Sequence, residues 1–210
     1  MGLSSGNSLA SLAEGGGASG VSASQVSTII QAQSEYEFIT TINQEANVGE
    51  WLITAGLDHT KYRAHKYIIT RGEFYSNNYL SWHLLQPDGA TRWSYGGSWY
   101  SRRATTGSTS ASSITTNSQL YFDSQSRSSG WNIYAEIEVI DDLHQNTATS
   151  DNYIHVFTRT GMGRTGGYWT GVTDGHAYMT KQNADTKYGG ISLRQDLKLL
   201  TVHIFGMRRR

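Results

Sequence analysis

The clearest pattern in the chain is the alternation of apolar and polar residues in WNIYAEIEVID, residues 131–141. Successive side chains of a β-strand point to opposite faces of its sheet, so an alternation of this length predicts a strand with one buried face. The residues on the predicted buried face are Trp131, Ile133, Ala135, Ile137 and Val139, and those on the opposite face are Asn132, Tyr134, Glu136 and Glu138.

The same period of two recurs in shorter segments from about residue 38 onward. YLSWHLLQ, residues 79–86, alternates large apolar residues with Ser81 and His83 and stops at PDG, residues 87–89. Proline fixes φ and glycine accepts a positive φ, so this tripeptide predicts a turn. Further strand candidates are KYIITRGEF, QLYFD, YIHVFTR and LLTVHIFGM, and Gly-, Ser- and Asn-rich stretches such as ATTGSTSASSITTNS are predicted to connect the strands.

Short strands separated by turn signals, with no helical pattern between them, predict a mainly β fold. The expected architecture is an antiparallel β-sandwich, jelly-roll-like, preceded by a flexible arm and a short helix. His155 and His203 alternate within two of the predicted strands, and we interpret both as packed or paired side chains.

The chain before residue 38 lacks the alternation. Residues 1–20 are rich in Gly, Ser and Ala, which predicts a flexible arm or a segment that folds against a partner. Residues 22–38, SASQVSTIIQAQSEYEF, carry the only helical pattern, with Ser24 as the candidate N-cap. The residues at helical spacing are Val26, Ile29, Ile30 and Gln33. Three copies of this helix can wind together, or one helix can lie on its own domain, and both interpretations remain open.

The charge distribution also separates the start of the chain from the rest. Residues 1–57 carry five Glu and no Lys, Arg or His, whereas from residue 58 onward 17 Lys and Arg outnumber 12 Asp and Glu by five. Packing of opposite charges between subunits is one explanation, and chance is the other. We predict two regions: residues 1–37, an arm with a short helix for attachment or oligomerisation, and residues 38–210, a β domain.

Composition excludes several kinds of chemistry. The chain has no Cys, which excludes disulfides and thiolate metal sites. No basic region followed by an apolar run predicts a secretory signal, and no 18-residue apolar stretch predicts membrane insertion. Arg-aromatic interleaving favours nucleic acid only in a more basic domain, so no nucleic-acid partner is expected.

No catalytic motif stands out. Glu136 and Glu138 share a predicted strand face about 7 Å apart, within reach of glycosidase spacing, but such a pair is more typical of the solvent side of a sheet. Asp141, Asp142 and His144 lack the spacing of a Ca²⁺ loop. We therefore expect a protein that is not an enzyme and that carries no cofactor and no metal.

The stretch TRWSYGGSWYSRR, residues 91–103, is the first candidate for ligand contacts. If Gly96 and Gly97 form a two-residue hairpin loop, Trp93 opposes Tyr100 across the hairpin, and Tyr95 lies on the same face. Trp99 lies on the other. One face is expected to fill a core, while the other can present rings to a sugar, whose C–H surface stacks on aromatic groups.

A second candidate is GMGRTGGYWTG, residues 161–171, predicted as a Gly-rich loop at one end of the sandwich. Aromatic rings that only stabilise the sheet are the alternative interpretation for both stretches. The candidate glycan contacts are Trp93, Tyr95, Trp99, Tyr100, Arg164, Tyr168 and Trp169.

The order of these segments resembles a domain of tail-fibre and other structural proteins of tailed bacteriophages. Residues 40–89 resemble its start: a short strand, a turn of the type GLDHTKY, a Tyr-rich strand, and the YLSWHLL strand with its DG turn. YGGSWYSRRATTGSTSASSITTNSQLYFD and the Gly-led strand SSGWNIYAEIEVID follow, and LLTVHIFGMR is similar to the terminal strand of that domain. The charged SLRQDLKLL and the Arg tail depart from the pattern.

The resemblance implies a virion protein, a homotrimer with a β-sandwich head, exposed on the particle surface. Residues 1–37 would attach it to other virion proteins, and the head would contact host-cell carbohydrate as a tail fibre or appendage. A capsid decoration or head-fibre protein that stabilises the particle is the main alternative. A free carbohydrate-binding lectin is a weaker one.

Overall fold

In the computed structural model of the protein, the described residues are 35–45, 48–74, 81–93, 98–105, 108–115, 120–121, 130–141, 153–164, 168–180 and 186–209. The chain divides into two units, Met1–Glu37 and Phe38–Arg210, and the described residues belong almost entirely to the second. The predicted arm, and the predicted helix up to residue 34, lie outside the described residues. The last residues of the helical stretch, from Tyr36, form a strand instead.

Eleven strands make up most of the described chain, and no helix occurs among those residues. In chain order they are β1 Tyr36–Gln44, β2 Val48–Ile53, β3 Tyr62–Phe74, β4 Ser81–Leu85, β5 Ser98–Thr105, β6 Ser108–Thr115, β7 Leu120–Tyr121, β8 Trp131–Ile140, β9 Tyr153–Arg164, β10 Tyr168–Thr180 and β11 Gly190–Arg208. The prediction of a mainly β, antiparallel fold is confirmed. The described part of the chain includes no helix long and apolar enough to cross a membrane.

The strands form one sheet in the order β6-β5-β10-β9-β8-β3-β11-β4-β7, with β1 and β2 also paired to β11. The long strand β11 changes partners along its length. Its first part, residues 190–197, pairs with β2 and β4, and its second part, residues 197–208, pairs with β3. The register shifts between Arg194 and Leu197, and again between Leu197 and Leu199, where the partners change.

A single apolar cluster joins residues from both groups of partners. It contains Trp51 and Ile53 of β2 and Trp82 of β4, together with Ile137 of β8 and Val202 of β11. Each of these side chains is 3% exposed or less. Burial of this much apolar surface is the main stabilising contribution to the fold.

Strand β8 confirms the prediction made from its alternation. Ile133, Ala135, Ile137 and Val139 are buried, and Trp131 packs half-buried against the same cluster. On the other side, Asn132 and Tyr134 are exposed and the two glutamates are half-buried.

Strand β4 contradicts the alternation predicted for it. All five of its residues are buried, including Ser81 and His83, which were predicted on a face opposite to Trp82. This strand alternates polar and apolar residues although both of its faces are buried, because small or neutral polar side chains can be buried too, and in the sequence they look solvent-facing.

The predicted hairpin around Gly96 and Gly97 is wrong in its pairing. Tyr100 of β5 pairs with Ser113 of β6 on one side and with His176 of β10 on the other. Both edges of β5 are therefore occupied by other strands, which leaves no edge for Trp93. Trp93 instead donates its backbone N–H to the carbonyl oxygen of Leu84 (2.8 Å), alongside β4.

Two predicted connections are also largely strand. Within ATTGSTSASSITTNS, residues 108–115 form β6, because backbone pairing with β5 does not require apolar side chains. The predicted Gly-rich loop of residues 161–171 is mostly the ends of β9 and β10. The pairing of β9 and β10 accommodates this segment by a register irregularity between Trp169 and Val172.

Candidate ligand-binding sites

The seven predicted glycan contacts do not gather at one place. Trp93 is 4% exposed and belongs to the core cluster, so it has no surface to offer a ligand. Tyr95 lies outside the described residues. Trp99 and Tyr100 are register partners of Ala177 and His176, near the end of β10.

Arg164, Tyr168 and Trp169 lie at the opposite end of the same strand pair. Arg164 pairs with Tyr168 across β9 and β10 and with Trp131 of β8, and Trp169 pairs with Gly163. Seven residues along β10 separate Trp169 from His176, which is about 23 Å of extended strand. The two stretches that the sequence grouped therefore belong to separate parts of the sheet.

A row of rings on β9 and β10 forms an exposed surface that the sequence analysis did not predict. We call it the aromatic face, and its members are Tyr153, His155, Phe157, His176 and Tyr178. Phe157 and His176 stack with ring centroids 4.5 Å apart and an interplanar angle of 9°. Phe157 is 39% exposed, so part of this ring pair is available to solvent.

The two histidines of the aromatic face are hydrogen-bonded to each other. Nδ1 of His155 lies 3.2 Å from Nε2 of His176, and the rings are almost parallel. Partial burial lowers the pKa of His176. His176 is therefore neutral at pH 7, and a neutral ring suits apolar and hydroxylated ligands.

Charged and polar groups border the aromatic face on one side. Nε of Arg159 donates to Oδ1 of Asp174 (3.0 Å), and the Tyr134 hydroxyl donates to Oε1 of Glu136 (2.7 Å). The hydrogen bond to Glu136 raises the pKa of Tyr134. These groups offer both donors and acceptors within the same row of the sheet, since Arg159 pairs with Glu136 and Asp174 in register.

A second site is an open pocket of about 420 Å³ between three turns. We call it the turn pocket. Its lining residues are Thr54, Leu57, His59, Pro87, Asp88, Gly89, Lys187, Tyr188 and Gly189. They come from the segment after β2, the turn after β4 and the segment before β11.

Two of the turns are held by aspartates in the same way. Oδ1 of Asp58 accepts from the backbone N–H groups of Thr60 (3.0 Å) and Lys61 (3.1 Å), and Oδ1 of Asp88 accepts from those of Ala90 (2.9 Å) and Thr91 (2.8 Å). Hydrogen bonds from the hydroxyls of Thr60 and Thr91, together with these backbone bonds, lower the pKa of the two carboxyls. Side-chain caps of this kind fix a turn without help from the core.

The predicted Pro87-Asp88-Gly89 turn is confirmed. Gly89 has φ of 69° and donates its N–H to the carbonyl oxygen of Gln86 (2.9 Å). Gly189 packs directly on this turn: a Cβ at Gly189 would lie 1.9 Å from the Gln86 oxygen and 2.7 Å from the Gly89 nitrogen. Only glycine permits that approach, which fixes the distance between two walls of the pocket.

Behind the turn pocket lies a group of titratable side chains. Nε2 of His59 donates to the carbonyl oxygen of Tyr188 (2.8 Å), and the Tyr188 hydroxyl is hydrogen-bonded to Nδ1 of His65. Nζ of Lys187 lies 3.1 Å from Oδ2 of Asp141, whose side chain is 1% exposed. Nδ1 of His59 lies 3.9 Å from the same oxygen.

Burial determines the charge of the two histidines in this group. Desolvation and, second to it, the neighbouring His59 together lower the pKa of His65 to about 4. Desolvation also lowers the pKa of His59, against the opposing influence of its hydrogen bond to Tyr188 and of Asp141. Both imidazoles are therefore neutral at pH 7.

The sequence contained a partial signal for this pocket. Asp58 and Asp88 are each followed within three residues by a Thr, a pattern typical of capped turns, but nothing local shows that the two turns meet. The segment that joins them, residues 187–189, is distant in the chain. In the described ranges, no three His, Asp or Glu side chains lie close enough to hold a metal ion.

No protein-family model, curated protein sequence or solved structure matches the chain.

Proposed function

We propose that the protein is a structural protein of a bacteriophage virion, a tail fibre or appendage that contacts host-surface glycans through the aromatic face. The virion assignment rests on the order of the strand and turn motifs. GLDHTKY contains the Asp58 cap, YLSWHLL with PDG contains β4 and its turn, and Gly130 with φ of 82° leads into β8. The motifs on which the resemblance rests therefore contain residues that cap a turn, form a turn or adopt a positive φ.

The observation that carries the glycan assignment is the stacked pair of the exposed Phe157 and the half-buried His176. Sugars present C–H surfaces that stack on flat aromatic groups, and they need hydrogen-bonding groups at the edge of the stack. Arg159, Asp174 and Glu136 supply such groups in the adjoining row. Of the contacts expected from the sequence, Tyr100 is the one whose backbone is a register partner of His176.

The finer architecture belongs to the same proposal. We infer that the sheet closes into a jelly-roll-like β-sandwich, because β11 passes from one group of partners to another while residues of both groups share one core cluster. Residues 1–37 would dock the protein on other virion proteins, and three copies would form the functional particle component.

Glycan binding is tested with a pair of exposed phenylalanines. Phe157 (39% exposed) belongs to the aromatic face, whereas Phe38 (55% exposed) packs on Phe205 of β11, three strands from Phe157 in the order of the sheet. On an array of bacterial surface glycans, we expect Phe157→Ala to weaken binding at least about tenfold and Phe38→Ala to leave it within about twofold, since stacking on a ring contributes roughly 1.4 kcal/mol or more.

Equal losses in the two variants, or no glycan bound by the unaltered protein, would contradict the glycan assignment. Trp169→Ala is the third arm of the experiment, because it tests the other end of β10. A selective loss in that variant would move the binding surface to Arg164, Tyr168 and Trp169. Circular dichroism of each variant separates lost binding from lost folding.

The alternative function, a capsid decoration or head-fibre protein, is distinguished from a tail appendage by where the protein lies on the particle. An antibody against residues 58–210 would label assembled particles for electron microscopy. Label at the tail or at fibre tips supports the appendage. Label over the head supports decoration, and particles that lack the protein should then lose heat resistance.

A further inference from the structure

We propose that the turn pocket is a separate binding site for one neutral, hydroxylated ligand of about the size of a single sugar unit. None of its lining residues belongs to the aromatic face. The inference does not rest on the proposed function, because the pocket would bind such a ligand whether or not the aromatic face contacts glycan.

The size and lining of the pocket suit a small polar molecule. A volume of about 420 Å³ lies within the range of ordinary small-molecule sites. Leu57 and Pro87 contribute apolar side chains to the lining, while Thr54, Asp88 and Lys187 contribute polar ones. A ligand with both C–H faces and hydroxyl groups makes use of all five.

The charges around the pocket favour a neutral ligand over an ion. The Lys187 ammonium is already paired with the buried carboxylate of Asp141 at 3.1 Å. Asp88 carries a negative charge at the rim, and Arg209, whose Nε donates to the carbonyl oxygen of His59 at 3.0 Å, carries a positive one. His59 is neutral. The other four groups are two cations, Lys187 and Arg209, and two anions, Asp141 and Asp88, so their summed charge favours neither an anion nor a cation.

Lys187 and Asp88 can still form hydrogen bonds with a ligand, although their charges are balanced. An ammonium group has three N–H donors, and one ion pair, with Asp141 at 3.1 Å, cannot occupy all of them. Each oxygen of a carboxylate can accept two hydrogen bonds, and Oδ2 of Asp88 accepts from the Thr91 hydroxyl. Side chains that donate and side chains that accept, in the lining of one pocket, match the hydroxyl groups of a sugar, each of which donates and accepts.

The pocket is also fixed before any ligand arrives. The two aspartate caps fix the turns after β2 and β4. Gly189, in the segment before β11, packs directly on the turn after β4. The hydrogen bond from His59 to the Tyr188 carbonyl links the segment after β2 to the segment before β11. A site that is already ordered does not lose conformational entropy on binding, which favours affinity for even a small ligand.

The test uses methyl glycosides of glucose, galactose and mannose as neutral probes, with a methyl glucuronide and a methyl glucosaminide as charged ones. Binding to the full chain is measured by isothermal titration and by ligand-observed NMR. Thr54→Tyr places a ring in the pocket, and Ala55→Tyr adds the same ring at the next exposed position, which does not line it. Phe157→Ala is a second control, because it alters only the aromatic face.

We expect at least one neutral glycoside to bind with a dissociation constant of about 1 mM, and Thr54→Tyr to weaken it at least about tenfold. Ala55→Tyr and Phe157→Ala should leave it within about twofold. The proposal is overturned if no neutral probe binds at about 50 mM, if only the charged probes bind, or if Thr54→Tyr and Ala55→Tyr act alike. Loss in Phe157→Ala alone would assign the binding to the aromatic face and refute the pocket while supporting the proposed function.

Discussion

The aromatic face and the turn pocket present their side chains on different kinds of backbone. The face lies on two paired strands, where the backbone ladder exists whatever the outward side chains are. The pocket lies on turns, and its shape depends on individual contacts such as the Asp58 cap and the approach of Gly189 to Gln86. A strand surface can therefore change its chemistry at little cost in stability, whereas a pocket built from turns cannot.

The same difference appears in the environment of the histidines. His176 of the face is half-exposed, and its stacked neighbours Phe157 and His155 carry no opposing charge. His65 behind the pocket is fully buried among His59, Tyr62 and Tyr188. Protonation of His176 therefore places a charge near the surface, whereas protonation of His65 places one in the protein interior.

The largest expected effect comes from the glycine that braces the pocket. Gly189→Ala would place a Cβ 1.9 Å from the backbone oxygen of Gln86, so the turn after β4 must move. We expect the free energy of unfolding, from urea denaturation, to fall by about 3 kcal/mol or more. The matched control is Gly49→Ala, where an added Cβ meets nothing within 4 Å and the change should stay below about 1 kcal/mol. Similar losses in both variants would show that the contact of Gly189 with Gln86 has no special role in stability.

The next largest effect is the pH dependence of stability. Because the pKa of His65 falls from 6.5 to about 4 on folding, the unfolded chain binds more protons between these values. The free energy of unfolding should therefore decrease as the pH falls from 6.5 to 4, by an amount on the order of 3 kcal/mol for this residue. His59, whose pKa is also lowered, adds to the decrease in the same direction. Urea titrations at several pH values measure it.

His65→Asn sharpens the comparison between the two sites. Asn keeps a polar atom near the position of Nδ1, so the contact with the Tyr188 hydroxyl can persist while the titration is removed. The slope between pH 4 and 6.5 should become shallower. His176→Asn, the corresponding change on the aromatic face, should alter the slope less, because that residue is partly solvated. If His176→Asn flattened the dependence of the unfolding free energy on pH more than His65→Asn does, His65 would not be the main titrating residue.

The smallest expected effect concerns the ion pair beside the aromatic face. Arg159 and Asp174 are 65% and 56% exposed, so solvent screens their attraction. We expect Arg159→Gln, Asp174→Asn and the double variant to form a thermodynamic cycle without a resolvable coupling energy for folding. A clear coupling would mean that this row of the sheet is more rigid than its exposure suggests.

The sequence allowed β8 to be predicted because one of its faces meets solvent and the other the core. The paired roles expected for His155 and His203 are also confirmed, since His155 is bonded to His176 and His203 lies 2.8 Å from the Thr41 hydroxyl. Strand β4 was misread because both of its faces are covered. Its Ser81 and His83 alternate with apolar residues as in a half-exposed strand, so the sequence alone does not show that neither face meets water.

Neither candidate site could be assembled from local pattern. The alternation of YIHVFTR does place Tyr153, His155 and Phe157 on one side of a strand, but the stacking partner His176 lies in β10, for which the sequence predicted no strand. The pocket requires three turns to meet, and that meeting depends on the tertiary pairing of β11 with β2 and β4. Local sequence specifies each turn and leaves their assembly to the fold.

The placement of β11 has a consequence for how the chain is made. Strands β1 and β2 have β11 as their partner among the described strands, and β3 and β4 each have one edge covered by it. The ribosome produces all four before it reaches residues 190–208. Pairings between such distant segments form slowly, and open strand edges attract other chains in the meantime. The nascent protein therefore carries unpaired edges through most of its synthesis, and it depends on dilution or chaperones until β11 emerges to close them.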